Sequence, residues 1–512
     1  MIVALLFAVL IHATLASFTG LTSDEAHYLL YAQFLDWSYF DHPPLVGWLQ
    51  APLIALTDSV AVIRLVPQLV WIVCAWLIHR ITEDLSHDKI AASLAVILFC
   101  VSPILHIHGI ALLPDTLLCL FSLLAAWLSL SIGRKMWKAD GLDNNDPMRN
   151  KVNLWHWVLL GVLLGLAGLS KYSAIFLAAG LAIYFFIALK GRLPFSGFTI
   201  AVGVGILVVS PVFLWNLAHD WISFRYQGSH IRGESWQPKM VLIFITLQCL
   251  VFGPLTVWGL VRFWRRRVGA LVNPNSIWLL SVFVVPVLIL GYLAGGGRSL
   301  PYWTSPAWVL AIPFAAIGFA SIRPCLTSLN SRVTLLVLTA LGLVQITLIT
   351  WVSVSLILGR PFGATEVSGH ADQSDPTNLV HTTTHSRKAP NPFAEVHGWD
   401  NLGDVITVLA RETGTNVLAI GNWTLGSRLG WYARPLPVWI TDSRFDQFDL
   451  WFNKPKDGEP VLFVNWSGMP TETEFSNLHN CNVVQKIPIQ HFGELVSHFT
   501  ISRCLAGNSP SK

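Results

Sequence analysis

The chain has 512 residues, of which 53% are hydrophobic and only 12% are charged, well below the roughly 25% charged residues of ordinary soluble domains. A water-soluble fold of this composition would leave much apolar surface facing water, so lipid is the implied solvent. The formal net charge of +4 is small for such a length and gives no sign of a nucleic-acid partner. The 23 Trp residues suit a chain that crosses many membrane–water boundaries, where indole rings prefer to sit.

In chain order, residues 1–18 are apolar and read either as a signal peptide or as a first spanning helix. No Lys or Arg precedes the apolar stretch, which favours a retained helix. Residues 19–59 form the first outer connection, with five acids (Asp24, Glu25, Asp36, Asp41, Asp58) and no Lys or Arg. Ser23 or Asp24 is placed to cap a helix whose first turn holds Glu25, and the aromatic and leucine residues behind it would let that helix lie flat in the interface. Alone, such an Asp-Glu pair reads more readily as a cap plus solvated loop charge; it gains functional weight only from its company.

Further apolar stretches follow near 60–79, 90–110, 112–132, 154–170, 171–189, 198–215, 240–261, 276–294, 302–322 and 333–358. With the first stretch they predict about eleven helices, each near the ~20 residues that cross a bilayer core. One set of connections carries most of the Lys and Arg, including Arg80, Lys89, Arg134, Lys135, Lys190, Arg265, Arg266 and Arg323, and is therefore assigned to the cytoplasm. An odd number of helices then puts the polar tail outside. In that tail, 359–395 is rich in Thr, Ser, His, Pro and Gly and reads as a linker. Residues 396–505 alternate short apolar runs (Val417 to Ile420, Val461 to Val464) with turn residues and a helix near Leu402 to Arg411, the pattern of a small α/β domain. The expected division is 1–358, a linker over 359–395, and a periplasmic α/β domain over 396–512. Cysteine spacing suggests no metal site; Cys481 and Cys504, both in the tail, are open to disulfide formation if it lies outside the cell membrane.

The company of Asp24 and Glu25 is a set of ionisable groups at the outer ends of other helices. Asp115 lies in HGIALLPDTLL, Arg64 within the first turns of its helix, and Lys171 in LAGLSKYSA. His106 and His108 border the same face, and Arg298 follows the Gly295 to Gly297 run. Charges in spanning segments cost several kcal/mol or more, so each is a functional candidate. A structural ion pair or a snorkelling side chain explains any one of them, but not their convergence at one depth. A transporter would more often place such groups near the midplane. Acids and cations together at a membrane surface suit transfer of a sugar from a lipid phosphate: a cation neutralises the departing phosphate and a carboxylate takes the acceptor's proton. No glycine-rich nucleotide fingerprint is present, which argues against a soluble nucleotide-sugar donor.

The Asp24-Glu25 pair, FDHPP at 40–44, AVIRLVPQL around Arg64, LPDTLL around Asp115 and GLSKYSA around Lys171 occur in an order that resembles the polyprenyl-phosphate-sugar-dependent glycosyltransferases of the GT-C class. These include dolichyl-phosphate-mannose protein mannosyltransferases and the bacterial transferases that put aminoarabinose on lipid A. SPVFLWNLAHDWISFRYQGSH at 210–230 and PYWTSPAW at 301–308 also look like bacterial members. The resemblance covers about residues 1–310 and is loose beyond them. It implies an all-α polytopic GT-C domain and an inverting single displacement. The donor would be undecaprenyl-phosphate sugar, and the acceptor lipid A, lipopolysaccharide or another envelope glycan on the periplasmic side of the inner membrane. Asp24 would be the general base, Glu25 its support and Asp115 a second essential acid, with Lys171, Arg64 and Arg298 as cations for the carrier phosphate. Asp41 and His42 stand where the aminoarabinose transferases have an acid followed by Lys, so a fixed positive charge is weakened at His42. No cofactor is required by the resemblance; a divalent metal at Asp41 and His42 stays open, and His219 and His230 read as structural. Two alternatives also stay open, the same chemistry on a protein acceptor and a polyprenyl-lipid transporter or flippase.

Overall fold

The computed structural model describes residues 1–139, 152–188, 195–232, 235–267, 274–296, 299–321, 329–363, 391–471 and 477–507. Most of these are helical. The chain runs through α1 (Ile2–Phe18), α2 (Ser23–Gln33), α3 (Leu45–Ile54), α4 (Val60–Ile63), α5 (Leu65–Ser86), α6 (Lys89–Cys100), α7 (Ile107–Ile110) and α8 (Pro114–Ala139). It continues through α9 (Leu154–Ser170), α10 (Ala174–Ala188), α11 (Phe195–Ala218), α12 (Ile222–Arg232), α13 (Pro238–Val251) and α14 (Pro254–Arg267). A helix broken by a π segment (α15, Pro274–Leu279; α16, Val285–Ala294) leads to α17 (Ser305–Ala320) and α18 (Leu329–Leu358).

Each of the eleven expected spans coincides with helix. Among the described residues, six helices are long and apolar enough to cross a membrane, or nine if each bent pair is one span. The bent pairs are α1 with α2 (74°), α6 with the Pro103–Ile110 segment (78°) and α13 with α14 (98°). The protein is a multi-pass membrane protein. The two shorter expected segments are α9 and α10, which part at Lys171 because that residue leaves α9 in an extended conformation (φ −157°, ψ 142°).

Local chemistry sets the helix ends that matter. His87 closes α5 in the left-handed region (φ 52°) and the Asp88 carboxylate then accepts from the backbone N–H of Ile90 and Ala91, capping α6. Pro114 opens α8, where a missing N–H costs nothing, and places Asp115 in the first turn. α9 and α11 approach backbone to backbone because Gly161 and Gly165 line the contact. A Cβ on Gly161 would come within 2.5 Å of the Ala201 carbonyl, and one on Gly165 within 2.5 Å of Val208.

The chain divides into two compact units. The first is Met1–Ser17 with Asp24–Ile349, and the second is Phe18–Ser23 with Thr350–Lys512. The second unit contains α19 (Trp399–Thr413), α20 (Trp423–Tyr432), α21 (Gln447–Trp451) and five strands: β1 (Leu418–Ile420), β2 (Val438–Ile440), β3 (Pro460–Trp466), β4 (Leu478–His491) and β5 (Glu494–Ala506). The sheet order is β2-β1-β3-β5-β4. β1 runs parallel to β2 and β3, and β5 antiparallel to β3 and β4. Cys481 and Cys504 form a disulfide joining β4 to β5. Unlike the expected boundary at 358, this unit takes in the end of α18 and also the stretch before α2. The Gly20 N–H donates to the Val396 carbonyl at 2.8 Å, and the Leu21 N–H to the Tyr432 hydroxyl at 3.1 Å.

Candidate active site

In the first unit, the first turn of α2 holds Asp24 and Glu25 on different bearings. Glu25 is buried and bound bidentately by Arg64, with Nε to Oε1 at 2.7 Å and Nη2 to Oε2 at 2.8 Å. Arg64 also donates from Nη1 to the Leu15 carbonyl at 3.3 Å. A guanidinium that is 2% exposed needs such partners, because an unpaired charge there would cost several kcal/mol. Arg64, expected at the carrier phosphate, therefore turns its fork to Glu25.

Asp24 is only partly buried, and no side chain among the described residues forms a hydrogen bond or ion pair with its carboxylate. It lies within electrostatic reach of His27, Lys171, Asp41 and Asp115. Lys171 donates to Asp115 Oδ2 at 2.6 Å, while the buried Asp115 Oδ1 has no hydrogen-bond partner among the described residues. The Lys171 ammonium also lies over the rings of Tyr302, 5.7 Å from the centroid, and Trp303, at 5.2 Å. That placement depends on Gln248, which is buried and donates to the Pro301 carbonyl at 3.0 Å while accepting from Trp308 Nε1 at 2.8 Å.

The connection between α2 and α3 lies outside the spanning helices and closes the cluster. Asp41 accepts from the Tyr31 hydroxyl, and its Oδ2 is 3.4 Å from His27 Nε2. Burial alone would raise the Asp41 carboxyl, but His27, His42 and the Tyr31 hydroxyl hold it below the usual carboxylate range. Burial pushes His42 down to about 4, against the opposing charge of Asp41, so it is neutral at pH 7. This connection is held by the end of α11 and by α12: Trp215 Nε1 donates to Asp36 Oδ2 at 2.8 Å, the Ser223 hydroxyl to the Tyr39 carbonyl at 2.8 Å, and Gln227 to the Asp41 carbonyl at 2.7 Å.

The structure thus brings Asp24, Asp41, His42, Asp115 and Lys171 together and sets Glu25 and Arg64 beside them as a closed pair. His108 bonds Thr116 Oγ1 at 3.2 Å, and His106 links His12 and the Cys100 carbonyl, each at 2.9 Å. His219 stacks on Trp215 with centroids 3.9 Å apart. Arg298 and the side chain of His230 lie outside the described residues. Among the described residues no group of three or more His, Cys, Asp or Glu side chains is arranged to hold a metal ion. An apolar crevice walled by Leu118, Phe176, Leu177, Leu290 and Leu310 opens beside Trp303.

Sequence reasoning passed over His27, Tyr31, Tyr302, Trp303 and Gln248. The first two were accessible: His27 and Tyr31 follow Asp24 by three and seven residues in SDEAHYLLY, one face of a helix.

Comparison with known proteins identifies the fold that carries this cluster. Crystal structures of ArnT from Cupriavidus metallidurans match over 100% of this chain and 99% of theirs at 14% identity, with TM-scores of 0.60 in the apo state and 0.61 bound to undecaprenyl phosphate. The chain has the GT-C fold. Residues 41–140 match the dolichyl-phosphate-mannose-protein mannosyltransferase family. The lipid A galacturonosyltransferase RgtD of Rhizobium johnstonii is 23% identical over 290 residues, an alignment that takes in 56% of this chain and 58% of that protein. Within the GT-C fold, the cluster around Asp24 is formed by the start of α2, the connection before α3, the start of α8 and the break between α9 and α10.

Proposed function

We propose that the protein is an inverting glycosyltransferase that moves a sugar from a polyprenyl phosphate to lipid A or a related envelope glycan. The proposed site lies on the periplasmic side of the inner membrane. One observation carries this reading: Asp24 has no bonded partner among the described residues, yet stands within electrostatic reach of the Lys171–Asp115 pair. A base and a phosphate-binding cation in one cluster are what the transfer needs.

In this reading the acceptor hydroxyl oxygen attacks the anomeric carbon as the bond from that carbon to the phosphate oxygen breaks. The bonding pair leaves with the polyprenyl phosphate, whose added charge Lys171 stabilises, and the hydroxyl proton passes to Asp24. Asp115 holds Lys171 in place, and the rings of Tyr302 and Trp303 shield the ammonium from water. Asp41, with His27 and Tyr31, forms the floor on which the sugar would rest. The apolar residues beside Trp303, among them Leu118, Phe176 and Leu290, would receive the start of the polyprenyl chain. Arg298 remains a proposed second cation for the phosphate, and Glu25 with Arg64 fixes the first turn of α2.

The likeness to a lipid A galacturonosyltransferase supports a lipid or glycan acceptor over a protein. The test is to give the purified protein in nanodiscs a polyprenyl phosphate carrying a radiolabelled sugar, with lipid A or with a hydroxyl-bearing peptide. Label appearing on lipid A with release of free polyprenyl phosphate supports the reading. Label on the peptide moves the acceptor to protein. Movement of intact donor between leaflets without release would make the protein a flippase and sink the transferase.

A further inference from the structure

A second, wider groove lies at the other end of the helices that form the cluster. Arg134 follows Asp115 by 19 residues on α8, which at 1.5 Å per residue is about 29 Å along the helix axis. That separation approaches the ~30 Å hydrocarbon thickness of a bilayer, so the groove opens at the opposite leaflet. It encloses about 560 Å³ between α5, α8 and α9. Leu124, Leu128, Leu159 and Leu163 with Trp127 form its wall, and Arg134 and Lys135 stand at its mouth.

Asp84 also lines the groove, but its carboxylate already accepts from Trp127 Nε1 at 2.6 Å. Lys135 is exposed, with its ammonium 3.3 Å from His156 Nε2 on α9. The result is a leucine-lined slot with two cations at one end, facing one acid that is hydrogen-bonded to the wall. A soluble anion would pair with the cations but leave the leucines against water, which is unfavourable in proportion to their area. A zwitterionic lipid would bring its own cation towards Arg134 and Lys135. A phosphate on an acyl chain, with no compensating amine, satisfies both parts of the slot.

We propose that this groove binds an anionic phospholipid, its phosphate at Arg134 and Lys135 and an acyl chain along the leucine wall. Basic pockets between spanning helices recruit anionic headgroups in the same way. In the topology proposed above, the lipid would come from the cytoplasmic leaflet. Binding does not depend on the chemistry proposed for the Asp24 cluster.

The test places the full-length protein in phosphatidylcholine vesicles containing a photoactivatable phosphatidylglycerol or, separately, a matched photoactivatable phosphatidylcholine. Crosslinks are then mapped by mass spectrometry. The expected result is labelling of α8 and α9 peptides about tenfold stronger with the phosphatidylglycerol probe. The R134Q/K135Q variant should lose this preference, R134K/K135R should keep it, and Leu159→Trp, which fills the wall, should lower labelling by both probes. Equal labelling by the two probes overturns the proposal, as does a preference that survives R134Q/K135Q. Loss of label on adding inorganic phosphate also overturns it, because the site would then read a free anion rather than a lipid.

Discussion

Two buried ion pairs sit at the head of the first unit, and they are built differently. Glu25–Arg64 is closed: both carboxylate oxygens face guanidinium nitrogens, and a further nitrogen reaches a backbone carbonyl. Lys171–Asp115 is open: one contact joins the two, Asp115 Oδ1 has no partner among the described residues, and the ammonium faces aromatic rings. A closed pair has satisfied its desolvation cost and adds rigidity. An open pair still has bonding capacity, and Asp24 stands next to it. In the function proposed above, the difference separates a brace from a reaction centre, although both pairs look alike as charges in an apolar sequence.

The comparison can be tested hardest at Asp24. Asp24→Asn keeps size and shape but removes the base, so the transfer rate should fall about 10³-fold with thermal unfolding unchanged. Activity near wild type in this variant would remove Asp24 from the chemistry. The two pairs come next. Removing a single partner, as in R64M or K171M, leaves a buried charge alone and should cost about 3–5 kcal/mol by denaturant unfolding. Apolar replacement of both partners should recover most of that stability at either pair. Transfer should return only in E25L/R64M and stay lost in D115L/K171M. If D115L/K171M transfers sugar, the open pair is another brace.

The smallest effects concern the connection before α3. Asp41→Asn removes a carboxylate held below its ordinary value of 3.8 and should cost about 1–3 kcal/mol at pH 7. A depressed carboxyl contributes stability above its unfolded value and loses it as pH falls, so the gap between wild type and D41N should narrow below about pH 4. A gap that is flat across that range would show that Asp41 acts by shape. Because His42 is neutral at pH 7, H42Q should remove no inflection from the rate profile between about pH 5 and 8.

Much of this architecture was legible in the chain. Spanning segments are declared by long apolar runs because backbone in lipid must form helix, and the five acids of 19–59 marked the first connection as special. The angle of each bent pair was not legible: α13 and α14 form one apolar run that breaks at Gly253 (φ 94°) and Pro254, and the local sequence marks the break without setting its 98° bend. The grouping of Phe18–Ser23 with the second unit was not legible either: the stretch carries no signal of its own, and its backbone N–H groups bond to residues about four hundred positions away.

The chain alone determined that the protein lives in lipid, that a polar α/β unit follows the helices, and which acids and bases are candidates. These follow from composition and periodicity, which act over a few turns and need no partner. Only tertiary structure decided that Arg64 belongs to Glu25, that Lys171 belongs to Asp115, and that Gln248 carries two aromatic rings to the Lys171 ammonium. Those assignments depend on distances of 2.6–5.2 Å between groups far apart in sequence, and a buried charge takes whichever partner the packing brings within that range.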